Sequence, residues 1–278
     1  ARNQLVNTTA EIIGSGGFAI SGNKIAFISY EGGVGATGAD LNGDGDKSDF
    51  VLRYFDVSSG MIINTGAEVK PGTKLAMSDS LIVFITSETY LRSDLNGDGD
   101  TSDDALRYYD LSAGRIVNTG AEIFSNPSVD GKKIAFLTKE SSVSRYGADL
   151  NGDGDTSDTI LRYLDASTGV LHNTGAEGAG ADLSISGNVI AFQTVESQIG
   201  PNGLDLNGNG SLQDIMLRYF LIGDTSVFNG STSHTYTQPG NYPVTLTVTD
   251  KAGQTSSTTK NIEVKEPVAP NNPPVLNF

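Results

Sequence analysis

Residues 40–46 read Asp40-Leu41-Asn42-Gly43-Asp44-Gly45-Asp46, and the same heptad returns from Asp94 and from Asp149. A degraded copy, Asp205-Leu206-Asn207-Gly208-Asn209-Gly210-Ser211, ends the series. The starts lie 54, 55 and 56 residues apart, an interval that fits one blade of a propeller or a similar array. Three further marks keep step with the loop. An apolar strand precedes it, at Ile25-Ala26-Phe27, Ile82-Val83-Phe84, Ile134-Ala135-Phe136 and Ile190-Ala191-Phe192. Leu-Arg-Tyr follows it, with Arg53, Arg107, Arg162 and Arg218 each 13 residues after the first loop Asp. A Ser/Gly turn and a strand ending in Asn-Thr-x-Ala-Glu come next. With the short segments before Gly22-Asn23 and Asp130-Gly131, each unit has four strands. Apolar runs between Gly, Asn, Asp and Ser turns are strand signals, and no helical period competes with them.

The order of the marks bears on closure. Asn-Thr-x-Ala-Glu begins at Asn7, Asn64, Asn118 and Asn173, so it opens the chain and is missing after the last Leu-Arg-Tyr. This offset predicts an all-β fold: a four-bladed β-propeller over residues 1–222, closed by an N-terminal strand that completes the last blade. Such closure removes sheet edges. An open or larger ring made from several chains is the competing arrangement.

The chain of 278 residues has a net charge of −15 and no cysteine. Fifteen of its 33 acidic residues lie in or beside the four loops, and without them the protein would be near neutral. Nucleic acid is excluded as an expected partner, since Lys/Arg clusters are missing. The longest apolar run, residues 81–85, is too short to span a bilayer. A chain opening at Ala1, with neither Met nor an apolar leader, reads as a processed, secreted product. The absence of cysteine fits an extracellular protein braced by metal instead of disulfides.

Alternating oxygen side chains with glycine at position 6 suit a hard cation that takes six to eight oxygen ligands. In loop one Asp40, Asn42 and Asp44 occupy positions 1, 3 and 5; Asp46 is expected to offer its carbonyl, and Asp49 at position 10 to close the shell. The corresponding sets are Asp94, Asn96, Asp98, Asp100 and Asp103, then Asp149, Asn151, Asp153, Asp155 and Asp158. The fourth set, Asp205, Asn207, Asn209, Ser211 and Asp214, has lost charge. The expectation is Ca²⁺ at three strong sites and a weaker fourth. The loops resemble those of EF-hand proteins, dockerins and integrin-type propellers at positions 1, 3, 5 and 7. They depart at the end, where those families use position 9 or 12.

Glu31, Glu88, Glu140 and Glu196 each fall six residues after the apolar-strand Ile. They are read chiefly as exposed strand-end carboxylates, with an extra ligand role as the alternative. The four arginines are expected to pair with blade carboxylates or stack on the adjoining Tyr. No catalytic residue is assigned. His172 and His234 are the only histidines, and neither a nucleophile elbow nor a phosphate-cradling loop is present.

After Gly223 the composition turns to Ser/Thr with alternating apolar residues. His234-Thr235-Tyr236, then Gly240-Asn241-Tyr242, then Val244-Thr245-Leu246-Thr247-Val248-Thr249-Asp250 resemble the second half of a PKD domain. That family is an immunoglobulin-like sandwich common in cell-surface proteins of archaea and bacteria. The resemblance implies a half sandwich over 223–265, followed at 266–278 by a Pro/Asn-rich linker and a terminal strand. Half a sandwich exposes its inner face, so strand addition from a neighbour is one expectation for residues 272–278. The functional expectation is a calcium-stabilised extracellular protein of a surface layer, sheath or filament, partnered by copies of itself or other surface proteins. The alternatives are an adhesion or glycan-binding module using loops 30–39, 87–93, 139–148 and 197–204, and a secreted polysaccharide-active enzyme.

Overall fold

The strand β6 (Leu81–Ser87) is buried at every position, because sheets pack on both of its faces. Strands covered on two sides read as continuous apolar runs. In the computed structural model, which describes residues 3–13, 17–200, 202–223, 238–249 and 255–265, this strand belongs to one of four successive antiparallel sheets. The first holds β1 (Ala19–Ser21), β2 (Lys24–Tyr30), β3 (Phe50–Asp56) and β4 (Met61–Glu68), in that order. The second holds β5 (Ala76–Met77), β6, β7 (Asp104–Asp110) and β8 (Arg115–Glu122). The third holds β9 (Ser128–Asp130), β10 (Lys133–Lys139), β11 (Thr159–Asp165) and β12 (Val170–Glu177). The fourth holds three strands, β13 (Ala179–Ser186), β14 (Val189–Val195) and β15 (Ile215–Leu221).

Register follows from short turns. The β3–β4 hairpin closes on Asp56, whose Oδ1 accepts the Ser58 N–H at 2.8 Å, with Gly60 at φ 69°. Such Asx turns fix the reversal locally. Asn64, Thr65 and Gly66 then shift the register of β4 on β3. Thr65 Oγ1 donates to the Leu52 carbonyl at 2.6 Å, and Gly66 takes φ 69°, a left-handed conformation that favours glycine.

The core lies between neighbouring sheets. Ala26, Ile28, Leu52 and Ala67 of the first pack with Ile82 and Phe84 of the second. Leu106 and Ala121 of the second pack with Ile134 and Phe136 of the third, and Leu137 and Leu161 of the third pack with Ile190 and Phe192 of the fourth. Phe84, Phe136 and Phe192 are fully buried, each contributing about 1.5–3 kcal/mol of apolar transfer.

Each seam also carries a polar latch. Thr86 Oγ1 donates to the Glu68 carbonyl at 2.7 Å, Thr138 to Glu122 at 2.8 Å, and Thr194 to Glu177 at 2.7 Å. Arg162 sits 3.9 Å from the Glu122 carboxylate of the preceding sheet. The arginines do not stack on the adjoining Tyr. Register sets Phe27 opposite Arg53, Phe84 opposite Arg107 and Phe192 opposite Arg218, so the guanidinium lies over a cross-strand Phe at 5.9, 5.9 and 5.7 Å. His172 stacks on Tyr163 with ring centroids 4.4 Å apart, a strand-face contact.

Closure by the N-terminal strand is not seen among the described residues. The fourth sheet ends at β15, and residues 3–13 do not pair with it. Only their end meets β2, where the Ile13 N–H donates to the Ile28 carbonyl at 3.1 Å and Ser29 Oγ to the Glu11 carbonyl at 2.6 Å. The carbonyls of residues 11 and 28 thus use the bonds by which an outer strand crosses to the next sheet.

Residues 1–224 and 225–278 form separate compact units. In the second, β16 (Gly240–Thr249) and β17 (Thr255–Val264) make an antiparallel pair. His234 and the linker with its terminal strand at 266–278 lie outside the described residues.

Candidate metal centres

The last pair of each central hairpin sets up the site. Beyond the Tyr30–Phe50 pair of β2 and β3, the Glu31 N–H donates to the Asp49 carbonyl at 3.0 Å. The same bond joins Glu88 to Asp103, Glu140 to Asp158 and Glu196 to Asp214, at 2.9, 2.9 and 3.1 Å. Sheet register therefore holds a Glu beside the Asp that ends each loop. The four glutamates are not exposed: Glu31, Glu88, Glu140 and Glu196 have 0% exposure. Each opens a single helical turn, at Glu31–Gly33, Glu88–Leu91, Glu140–Ser142 and Glu196–Gln198, which tucks the side chain under the loop.

There the carboxylate anchors the loop backbone. Glu88 Oε1 accepts the N–H groups of Leu95 and Asn96 at 2.6 and 3.1 Å. Glu31 and Glu140 do the same for Leu41 and Asn42 and for Leu150 and Asn151. The second oxygens of Glu88 and Glu196 are buried without any hydrogen-bond partner. A buried carboxylate oxygen left unsatisfied is costly.

The loop side chains divide into two groups. Position 1 serves the backbone: Asp94 Oδ1 and Oδ2 accept the Gly97 and Gly99 N–H groups at 2.6 and 3.0 Å. The tight path needs left-handed backbone at Gly99, φ 97°. Asp40 and Asp149 make the same bonds. Positions 3 and 5 brace the turn, as Asn96 accepts from Asp98 and Asp98 from Asp100, both at 3.0 Å. Asn42–Asp44 and Asn151–Asp153 repeat this.

The carboxylates of positions 7 and 10 converge with the buried Glu. Glu31, Asp46 and Asp49, then Glu88, Asp100 and Asp103, then Glu140, Asp155 and Asp158, each present carboxylate oxygens within 4.8 Å of one another. A further group, Asp153, Asp158 and Glu177, shares Asp158 with the third triad. Position 7 thus contributes its carboxylate, where a carbonyl is expected from the spacing. Glu177 belongs to Asn-Thr-x-Ala-Glu, a motif read from the sequence only as a strand. Its place in every repeat, one strand after the loop, is the signal that pointed to it.

Charge crowding shows in the protonation preferences. Burial pushes Asp103 up to about 6, with Asp98, Asp100 and Glu88 adding to the rise. Burial also raises Asp158 to about 6, aided by Glu177, Asp153 and Asp155, and it raises Asp49. Glu68, behind the first loop, rises to about 7 through burial and then the charges of Asp49 and Asp44. The position-7 carboxylates go the other way, because Ser48, Ser102 and Ser157 donate to Asp46, Asp100 and Asp155.

Three converging carboxylates in each of the first three loops, joined at Glu88 by an unsatisfied buried oxygen, have the chemistry of a hard-cation site, and the chain has no cysteine to offer a soft ligand. The donor set fits a divalent metal. Loop four differs. Asn207 donates to Asp214 Oδ2 at 3.2 Å as Asn42 and Asn151 do to Asp49 and Asp158, but here Asn209 adds a second amide donor at 2.7 Å, which compensates that carboxylate. Asp205 binds Gly208 and Gly210 as its counterparts do, and Ser211 replaces the position-7 carboxylate. Among the described residues no carboxylate triad forms there.

Residues 213–265 match the PKD domain family. That stretch takes in β15 as well as the β16–β17 pair. Comparison with curated proteins gives no match. Among solved structures the chain is similar to TolB from Acinetobacter baumannii, at 14% identity over 86% of this chain and 50% of that one, TM-score 0.38. It is also similar to the β-propeller domain of the Trilobed protease from Pyrococcus furiosus, described as having an open velcro topology, at 10% identity over 90% and 68%, TM-score 0.45. An oligogalacturonate lyase in complex with manganese matches at 13% identity over 66% and 48%, TM-score 0.36. The chain spans half the length of TolB. Among the described residues no helix is long and apolar enough to cross a membrane.

Proposed function

We propose that this protein is an extracellular structural component of a surface layer, sheath or filament, in which calcium braces an array of four propeller-like blades. The observation that carries the reading is the repetition of one cation-shaped carboxylate triad in three successive sheets, with a fully buried Glu88 whose second oxygen has no partner inside the protein. Three equivalent sites in three equivalent sheets suit bracing better than catalysis. A catalytic metal serves one centre and keeps an open coordination position for substrate. The PKD match at 213–265 supports a cell-surface setting, since domains of that family are common there.

Electron microscopy of the native protein in millimolar Ca²⁺ and after chelation tests this. Ordered polymers that dissolve in chelator are the expected outcome; monomers under both conditions overturn it.

One observation favours adhesion as a second reading. A cavity of about 620 Å³ lies between the first loop and the Thr89–Arg92 segment, with Tyr90 and Arg107 on its wall. An aromatic side chain beside a cation loop can bind a sugar face, and a glycan array run with and without Ca²⁺ decides whether it does.

A further inference from the structure

The fourth sheet stops one strand short, and the consequence is visible in burial. Leu52, Leu106 and Leu161, the leucines of Leu-Arg-Tyr in the complete sheets, are fully buried, whereas Leu217 at the same place in β15 is 80% exposed. Ile215, Tyr219 and Leu221 are exposed on the same strand. An apolar row beside an unpaired strand edge is a template for another strand.

At the other end of the series, residues 7–13 hold the shape of an outer strand that lacks its inner neighbour. Asn7 Oδ1 accepts the Thr9 N–H at 3.0 Å, as Asn64, Asn118 and Asn173 accept from Gly66, Gly120 and Gly175. Thr8 Oγ1 accepts from Ala10, as Thr65, Thr119 and Thr174 accept from the Ala two residues on. Thr9 has φ 59°, beside 69°, 67° and 66° for the three glycines. A β-branched residue seldom takes left-handed backbone, so the bulge is kept here against local preference.

Downstream the likeness continues. Glu11 Oε1 accepts the Gly35 N–H at 3.1 Å as Glu177 accepts that of Gly200, and Ile13 crosses to Ile28 as Lys70 crosses to Ile85. Missing, among the described residues, are the bonds to an inner strand. Asn64 Nδ2 donates to the Leu41 carbonyl and Thr65 Oγ1 to that of Leu52, and Asn7 and Thr8 have no such acceptors.

The pairing of Arg53 with Asn64 and Tyr54 with Ile63, copied onto β15, sets Asn7 opposite Arg218 and Val6 opposite Tyr219. The carbonyls of Leu206 and Leu217 then take the missing bonds. Among the described residues the sheets meet in the series β1, β5, β9, β13, and no core cluster joins the fourth sheet to the first. We propose that the occupant of the β15 edge is a second copy of this chain, whose residues 3–11 add as the fourth strand. One surface meets a different surface, so the contact is head-to-tail and closes into a ring or extends as a fibre. The inference deepens the scaffold reading by naming its partner. Its test reads pairing between chains directly, so it can fail while the calcium result stands.

Because the chain has no cysteine, single thiols report the contact cleanly. Val6→Cys and Tyr219→Cys both lie at exposed positions (59% and 68%) and should leave the fold intact. Mixing the two variants under mild oxidant should give a disulfide-linked dimer, well above that from Val6→Cys mixed with Tyr146→Cys, a thiol far from β15 in sequence. The double variant V6C/Y219C should give a ladder of linked chains. A double variant that links only within one chain, or a mixture no better than the control, overturns the proposal.

Discussion

Glu88 has no solvent exposure and uses one of its two oxygens inside the protein. The occupied oxygen fixes Leu95 and Asn96, and the carboxylate comes within 4.8 Å of those of Asp100 and Asp103. Glu88→Gln keeps the acceptor and removes the charge. Calcium affinity at the second loop should fall by ~10-fold or more, seen by titration calorimetry as one weakened site, while the metal-free melting temperature holds or rises. Glu88→Ala also strips the acceptor from two N–H groups, at about 1–3 kcal/mol for each left unpaired, so it should destabilise the metal-free protein as well. Equal calcium affinity in Glu88→Gln and the parent would mean that the side chain serves the backbone alone.

The hairpin turns argue at the scale of an element. Asp110 Oδ1 gathers Ser112 N–H and Oγ–H and the Ala113 N–H at 2.9, 2.6 and 3.0 Å. These bonds hold its carboxyl below the usual range, chiefly through Ser112, and Asp56 and Asp165 are lowered likewise through Ser58 and Ser167. A depressed carboxylate stabilises the fold above its unfolded pKa, near 3.9, and that stability drains away as pH falls through the lower folded value. The urea midpoint of Asp110→Ala should therefore lie below that of the parent at pH 6–7. The gap should narrow as pH falls below about 4 and the carboxyl becomes protonated first in the unfolded and then in the folded state. A gap that persists in acid would assign the effect to turn geometry instead of charge.

These turns, the central strands and the loops were legible because each is written locally: Ser/Gly after an Asp, Leu-Arg-Tyr, alternating oxygen side chains. The burial of Glu31 and its sisters was not, since the cover comes from the loop folding back and no neighbour in sequence announces it. The stacking of Arg53 on Phe27 likewise needs strand register, which spacing alone leaves open. Asn7–Glu11 was legible as an outer strand, but the contacts of Glu11 and Ile13 with β2 were not, because those bonds run through backbone carbonyls.

On the scale of the whole molecule, the proposed binding of calcium by three triads in series makes stability a function of free calcium. A site held at ~10 times its Kd adds about 1.4 kcal/mol to the folded state, and three add about 4 kcal/mol against a typical margin of about 5–15 kcal/mol. At about 2–4 °C per kcal/mol for a unit of this size, melting in excess Ca²⁺ should lie on the order of 10 °C above melting in chelator. Loop four supplies the internal control. Its Asn209 amide compensates Asp214 and Ser211 stands where its sisters carry Asp, so N209D/S211D restores the charge and removes the compensating donor. The variant should melt lower than the parent in chelator, where the two introduced carboxylates repel Asp214. It should recover in Ca²⁺, widening the gap between the two conditions and adding one equivalent to the calorimetric stoichiometry. A variant that loses stability equally in both conditions would show that charge at positions 5 and 7 does not suffice, and that Glu196 with its unpartnered oxygen needs more than an acidic loop to hold a cation.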